Sequence, residues 1–364
     1  MSSESEGVWP PERAQAWLAE RGWRVGCNFT PSTASNQLGL WREESFDLAT
    51  LERELGFAAR LGFTSVRVFL HDLLWTHDRA GFLDRVERFL ATAAERGIGV
   101  LLVLFDGVWD PSPQWRPQPE PQPGVHNSRW VQSPGAAVLG DPSRHGELRP
   151  YVQGLLDRFR DDARIDGWDL FNEPDNPNPA YASRGIPDKD ARALELLRKT
   201  FAWAREAGPA QPLTAGVWRG SWSEPGALSE MNRLCLDHSD VISFHHYGEL
   251  GALQQCVEAL QRYIRPILCT EWLARGLGSC FDPHLPWLKR AGVGAYCWGF
   301  VAGRTQTHYP WNSWVKTRPG EPELWQHEIL RPDGTAYDEA EVELIRSLTR
   351  PADCGSAPRA SDSK

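Results

Sequence analysis

Two glutamates in this chain stand where strand-like runs end. The first closes residues 165–174, which read Ile-Asp-Gly-Trp-Asp-Leu-Phe-Asn-Glu-Pro. The apolar, aromatic first half of that run predicts a buried strand, and Pro174 cannot extend a ladder, so Asn172 and Glu173 fall at its C-terminal tip. The second glutamate, Glu271, ends the run 266–271 and is followed by Trp272. A carboxyl group that holds a proton beside one that stays ionised is the equipment of glycoside hydrolysis: one donates to the leaving oxygen, the other attacks or stabilises the anomeric carbon. Taken alone, Glu173 also fits the plainer reading of a surface glutamate ahead of a turn, which its place at a strand tip disfavours. The pair matters only if one fold brings both tips together.

The rest of the chain supplies such a fold. Residues 10–21 predict an amphipathic lead-in helix and 23–29 a first strand. A helix over 48–61 is closed by Gly62, a strand covers 64–70, and a helix over 81–96 is closed by Gly97. Residues 98–105 form a nearly continuous apolar run, the pattern of a strand buried on both faces of a parallel sheet. Further strands are expected at 212–217, 241–247, 266–271 and 294–300. Helices are expected at 147–161, 189–207, 227–236, 252–263 and 284–291, with a last one at 339–348.

Two stretches, 106–146 and 301–337, lack any periodic signal. Loops of that length inside a compact domain are commonly functional, and their Trp content points the same way. Eight strands alternating with helices, without a composition break, predict one α/β domain: a (β/α)8 TIM barrel over 23–350 with long loops after the third and eighth strands. Residues 1–22 form the lead-in, and the polar tail 351–364 is expected to be disordered. A doubly wound open sheet is the competing architecture, yet neither GxGxxG nor GxxxxGKS/T follows any strand.

Composition narrows the function. The 364 residues carry a formal net charge of −9 without long blocks of one sign, which disfavours nucleic acid as a partner. No run has the apolar length of a membrane span, and the charged, Pro-broken residues 1–22 lack a signal-peptide core, so a cytoplasmic location is expected. Seven widely spaced cysteines without a CxxC pair read as reduced thiols. The unusual figure is 18 Trp against 2 Met. Trp17, Trp168 and Trp203 lie in periodic segments and read as core. Others, including Trp75, Trp109, Trp115, Trp130, Trp218, Trp222, Trp272, Trp298, Trp311 and Trp314, follow strand-like runs. Indole faces stack on the C–H faces of sugars, which makes carbohydrate the expected partner.

In a parallel barrel the strand tips form one surface. Arg67, His71 and Asp72 belong to the second strand's tip, Asp106 to the third, Asn172 and Glu173 to the fourth, and Trp218 to the fifth. Period-two alternation places Ser243, His245 and Tyr247 on one face of the sixth strand and His246 on the other. Glu271 and Trp272 end the seventh, and Trp298 the eighth. Arg67 and a hydrogen bond from Tyr247 are expected to keep Glu271 ionised, while Glu173 stays protonated with His245 tuning it. An Arg67–Glu271 pair in the barrel interior is also compatible with a purely structural ion pair.

The segments Trp168–Pro174, His245-His246-Tyr247 and Thr270-Glu271-Trp272 resemble clan A glycoside hydrolases, nearest to the cellulase and mannanase group called family 5. The resemblance spans the barrel, and Asn-Glu-Pro with the seventh-strand Glu carries it. It implies Glu173 as general acid/base and Glu271 as nucleophile of a retaining double displacement, with no metal or other cofactor. It further implies that Asn172 binds the hydroxyl beside the anomeric carbon, that Arg67 and Tyr247 orient Glu271, and that His245 contacts Glu173. Trp298 would form the floor under the reacting sugar. The pattern usually has a His after the third strand, where this chain has Asp106 and Gly107. Asp72 and Asp106 are therefore expected to grip hydroxyls of a terminal sugar, and Trp109, Trp218 and Trp272 to line the site, in an enzyme acting on β-linked oligosaccharides or a small β-glycoside.

Three other readings compete with this one. A metal-dependent barrel would draw on His71, Asp72, His77 and Asp78, although His77 and Asp78 are better placed to open the following helix. A sugar-binding barrel without catalysis is compatible with the fold. A transglycosylase differs only in how well water competes for the intermediate.

Overall fold

In the computed structural model, residues 7–317 and 320–350 are described. The expected disorder of 351–364 therefore falls outside the described residues. Eight parallel strands run in the order β5-β4-β3-β2-β1-β8-β7-β6. They are β1 (Val25–Asn28), β2 (Ser65–Phe69), β3 (Gly99–Asp106), β4 (Ile165–Asn172), β5 (Leu213–Thr214), β6 (Ile242–His245), β7 (Ile267–Trp272) and β8 (Gly294–Cys297). The seam between β5 and β6 closes through a parallel bridge from Val217 to Phe244 and a hydroxyl contact of 2.7 Å between Thr214 and Ser243. This is the predicted (β/α)8 barrel.

The helices are α1 (Pro11–Arg21), α2 (Gln37–Trp41), α3 (Leu48–Arg60), α4 (Asp72–Ala94), α5 (Ala136–Leu139), α6 (Arg149–Arg158), α7 (Lys189–Ala207), α8 (Glu230–His238), α9 (Leu250–Gln261), α10 (Phe281–Arg290) and α11 (Glu339–Thr349). Gly62 and Gly97 sit at φ 76° and 70°, in the left-handed region that ends the helices before them. α2 has too short an apolar run to stand out in the sequence. It forms because Asn36 accepts a hydrogen bond from Gly39 N at 2.7 Å and Trp41 is fully buried.

β5 is shorter than the expected 212–217, because after Thr214 the backbone leaves β4 and meets β6 only at Val217. α4 starts nine residues earlier than the expected 81, its first turn broken from the rest at non-helical Asp78. β3 and β4 are buried along their whole length, as a central parallel ladder requires.

Candidate active site

Arg67 is the hub beneath the barrel mouth. It projects from β2, has no exposed surface, and uses its guanidinium fork on partners from three other strands. Nη1 donates to Asn28 Oδ1 and to Glu271 Oε1, both at 2.8 Å. Nη2 donates to Asp169 Oδ2 at 2.8 Å and to Asn172 Oδ1 at 2.7 Å, and Nε reaches Asp169 Oδ2 at 3.1 Å. A planar, permanently charged group suits this multi-strand clamp better than an ammonium would. Asn28 is held in turn by the carbonyls of Thr270 and Cys297, at 2.8 and 3.3 Å.

Glu271 also accepts from Tyr247 Oη at 2.6 Å. Burial pushes its carboxyl group upward, while His245, Arg67 and the Tyr247 hydrogen bond oppose the rise. Arg67 and Tyr247 thus act in the expected direction, favouring the ionised form against desolvation. Glu173 carries a different set of neighbours. His245 Nδ1 lies 2.8 Å from Glu173 Oε1 and 3.6 Å from Glu271 Oε2, and Asn176 Nδ2 donates to Glu173 Oε2 at 2.6 Å. Burial drives Glu173 up to about 7, with the Asn176 bond and more distant Arg67 opposing. Burial likewise takes His245 down to about 4, so its imidazole is neutral at pH 7. One ligand atom each from Glu173, His245 and Glu271 lie within 4.8 Å of one another. An oxygen of one carboxyl group thus approaches an oxygen of the other within that distance.

The backbone sets this geometry. Glu173 sits at φ 42°, in the left-handed region, so the chain turns sharply at the strand tip just before Pro174. Gly107, at the adjacent tip of β3, donates its N–H to Asn172 O at 2.8 Å. A Cβ at Gly107 would lie 2.3 Å from Glu173 O. Lys189 Nζ fastens the two tips by donating to Gly107 O at 2.5 Å and Asn176 O at 2.7 Å, and burial lowers it to about 8.

His245 and Tyr247 both reach the glutamates, whereas His246 turns toward Cys256 Sγ at 3.8 Å. Trp298 is partly buried and meets Phe69 and Trp130 edge-on, with ring centroids 5.9 Å away in each case. Trp311, from the loop after β8, stands perpendicular to Tyr247 at 5.0 Å. Trp218 donates from Nε1 to Asp175 Oδ1 at 2.6 Å.

Three expected sugar contacts are corrected. Asp106 is completely buried, and its oxygens accept from Trp130 Nε1 at 2.6 Å, Gln37 Nε2 at 3.0 Å, Asn172 Nδ2 at 3.0 Å and Val108 N at 3.1 Å. It fixes the amide of Asn172 instead of meeting solvent. Asp72 is 6% exposed and accepts from Ser133 Oγ at 2.7 Å, which braces the start of α4. Trp272 is 1% exposed and packs outward on Phe281 and His284, because it follows Glu271 on a strand whose faces alternate.

The four residues of the metal reading do not gather into one ligand set: His71 Nδ1 lies 3.2 Å from Asp72 Oδ1, but His77 and Asp78 have other partners. His71 binds Gln132 O and accepts from Leu73 N, His77 stacks on Trp115, and Asp78 accepts from Gly81 N at the break in α4. Among the described residues, the six cysteines are unpaired and no helix is long and apolar enough to cross a membrane.

The two long loops join. Asn127 N donates to Thr305 O at 2.8 Å, Gly124 N to Gln306 Oε1 at 2.9 Å and His126 N to Ser313 Oγ at 2.9 Å. Trp109 stacks on Trp314 at 5.3 Å, and Arg304 grips Glu120 with two bonds of 2.8 and 3.0 Å. Since β2 and β1 lie between β3 and β8, this union forms a wall over one side of the mouth.

No protein-family profile matches the chain, and no curated protein matches it. Solved structures do. The GH5_18 protein of Streptomyces cattleya, in complex with GlcNAc, superposes with a TM-score of 0.60 at 17% identity, over 91% of this chain and 80% of its own. The chain shares the barrel fold of the family 5 glycoside hydrolases. The exo-β-1,4-mannosidase of Opitutaceae bacterium strain TAV5 gives 0.59 at 20% identity, covering 90% of this chain and 60% of that one. The β-1,4-mannanase of Aplysia kurodai gives 0.54 at 18%, covering 76% and 87%.

Sequence reasoning missed Asn28, Asp169, Asn176, Lys189 and Asn127. Asp169 stands three residues before Asn172 in the quoted segment, and strict alternation would have put the two on opposite faces. Both bond Arg67, so alternation fails at this tip.

Proposed function

We propose that the chain is a retaining β-glycosidase that removes a sugar from the non-reducing end of short β-linked oligosaccharides or small β-glycosides. The observation that carries this reading is the unequal surroundings of two carboxylates within 4.8 Å of each other. Glu271 touches a guanidinium and a phenol; Glu173 touches a neutral imidazole and an amide. Any proton shared by the pair therefore resides on Glu173, at about 7 close to the pH at which it must act.

In the first step Glu173 protonates the glycosidic oxygen as Glu271 attacks the anomeric carbon, forming a glycosyl ester. Arg67 and Tyr247 stay on the nucleophile and hold the oxygen that attacks. Once the aglycone leaves, Glu173 is a carboxylate and takes a proton from the water that hydrolyses the ester. Its contact with His245 Nδ1 serves both states, because a neutral imidazole donates to the carboxylate or accepts from the acid according to its tautomer. Asn172, clamped between Arg67 and Asp106, presents its amide to the hydroxyl next to the anomeric carbon, and Trp298 offers a ring face beneath the sugar.

The wall built by the two loops supports release from a chain end over cleavage inside a polymer. The solved structures favour a β-mannoside as the first substrate to try, since a GH5_18 variant from Streptomyces cattleya was crystallised with Manβ1-4GlcNAc. The test is hydrolysis of a panel of aryl β-glycosides by wild type and Glu271→Ala, with azide added to the variant. Recovery of turnover with formation of the α-glycosyl azide identifies the nucleophile and the retaining course. Binding without cleavage across the panel would instead mark a sugar-binding barrel.

A further inference from the structure

Beside the catalytic pair, where the two loops meet, lies a small cavity of about 20 Å³ that neither Glu173 nor Glu271 lines. Asn127, Thr305, Thr307 and Glu328 form its polar side, and Trp130 and Trp298 its aromatic side. Asn28 borders it as well, and the same Asn28 accepts from Arg67. One residue thus separates this cavity from the clamp on the nucleophile.

Asn127 is the informative member. It has no exposed surface, yet neither its amide nitrogen nor its amide oxygen has a partner among the described residues. Its φ is 50°, a conformation glycine adopts without cost. A buried polar group left without a partner is destabilising, because its desolvation is not compensated. Chain geometry at this position would therefore be met more stably by Gly, and the amide calls for a ligand that both donates and accepts. A hydroxyl does both.

The lining sets the charge of that ligand. Among the described residues, no Lys or Arg borders the cavity. Glu328 has committed both oxygens, one to Thr307 Oγ1 and one to Phe300 N at 2.9 Å, and burial drives it up to about 7. An anionic group would find no cation and a competing carboxyl group. The volume admits roughly one water-sized group.

We infer that this cavity is a specificity pocket: it receives one uncharged, hydroxyl-bearing arm of the sugar lying on Trp298, and Asn127 reads the hydroxyl. The inference rests on the glycosidase reading and adds a residue that chooses the sugar. Uronides, which replace such an arm by a carboxylate, are rejected by the same pocket.

The test compares wild type with Asn127→Gly, which suits the left-handed backbone, on an aryl β-glycoside and its monodeoxy analogues. In wild type one analogue loses about tenfold or more in kcat/KM, the scale of one buried hydrogen bond. Asn127→Gly loses the same factor on the parent, and parent and that analogue become equal, while the other analogues fall in proportion to the parent. Undiminished discrimination in the variant overturns the pocket, as does an equal loss on every substrate. Asn127→Asp, which keeps the shape and removes the donor, gives the same comparison if the Gly variant does not fold. Tryptophan fluorescence titration with thio-linked analogues reads the discrimination as binding. Failure of turnover and failure of the pocket are thereby distinguished: the former sinks the glycosidase reading, the latter only Asn127's role.

Discussion

Asn176 touches the acid Glu173, and replacing it by Leu should move the alkaline limb of the rate profile. Its Nδ2 donates to Glu173 Oε2 at 2.6 Å, a bond that is strongest when Glu173 is ionised. That donor therefore favours the carboxylate and lowers the pKa, against the burial that raises it to about 7. A hydrogen bond to a charged group is worth about 1.5–3 kcal/mol, and about 1.4 kcal/mol corresponds to one pKa unit. Removing it raises Glu173 by about one to two units, and the half-buried position of Asn176 argues for the lower end. The alkaline limb of kcat/KM, which reports the free enzyme, should then shift from near 7 to about 8, with the rate well below the limb little changed. The assay is kcat/KM against pH for an aryl glycoside with a poor leaving group. A dinitrophenyl glycoside, which departs without protonation, should show a much weaker limb in both proteins. A limb that stays in place or moves downward refutes the assignment of Glu173 as the acid and of Asn176 as its partner.

Glu173→Gln should alter stability as a function of pH. Since the folded-state value is raised, the stability tied to the protonated acid is complete below the ordinary carboxylate range and is lost as pH climbs through about 7. The loss amounts to at most about 3 kcal/mol, so the melting temperature of the Gln variant relative to wild type should rise between mildly acid and mildly alkaline buffer; a constant difference counts against it. Arg67→Lys leaves Asp169 and Glu271 short of donors deep in the barrel. Denaturant unfolding should show a loss of about 3–5 kcal/mol, with kcat falling more than KM changes. Zinc should inhibit, more strongly as pH rises, because Glu173, His245 and Glu271 converge within 4.8 Å. A chelator should leave the untreated enzyme's rate unchanged, and loss of activity on chelation would require a different mechanism.

The sequence made β4 and its terminal Glu173 legible because a buried parallel strand is an apolar run and Pro174 punctuates it. Gly62 and Gly97 were legible for a similar local reason, each ending a helix by its own conformational freedom. Direction was harder to read. Trp272 follows Glu271 on the same strand, and alternation turned it toward α10 and out of the mouth. Asp106 looked available at a tip, but its availability depended on Gln37, Trp130 and Asn172, residues from three separate segments. Asn127 and Asn176 were invisible because nothing local marks an amide whose role comes from a loop meeting a loop, or from a turn folding back on Glu173. Local signals fix elements and their ends; who meets whom in long loops is set by contacts far apart in the chain.

Gly107 carries a consequence for anyone altering this protein. With the carbonyl of Glu173 occupying the space that a side chain at 107 would need, the position tolerates no library diversity, although it contributes no functional group. A saturation screen would return it as indispensable beside Glu173 and Glu271. Efforts to broaden the substrate range are better aimed at positions such as 127, 305 and 307, where variation changes the shape offered to a sugar and leaves the acid's backbone where it stands.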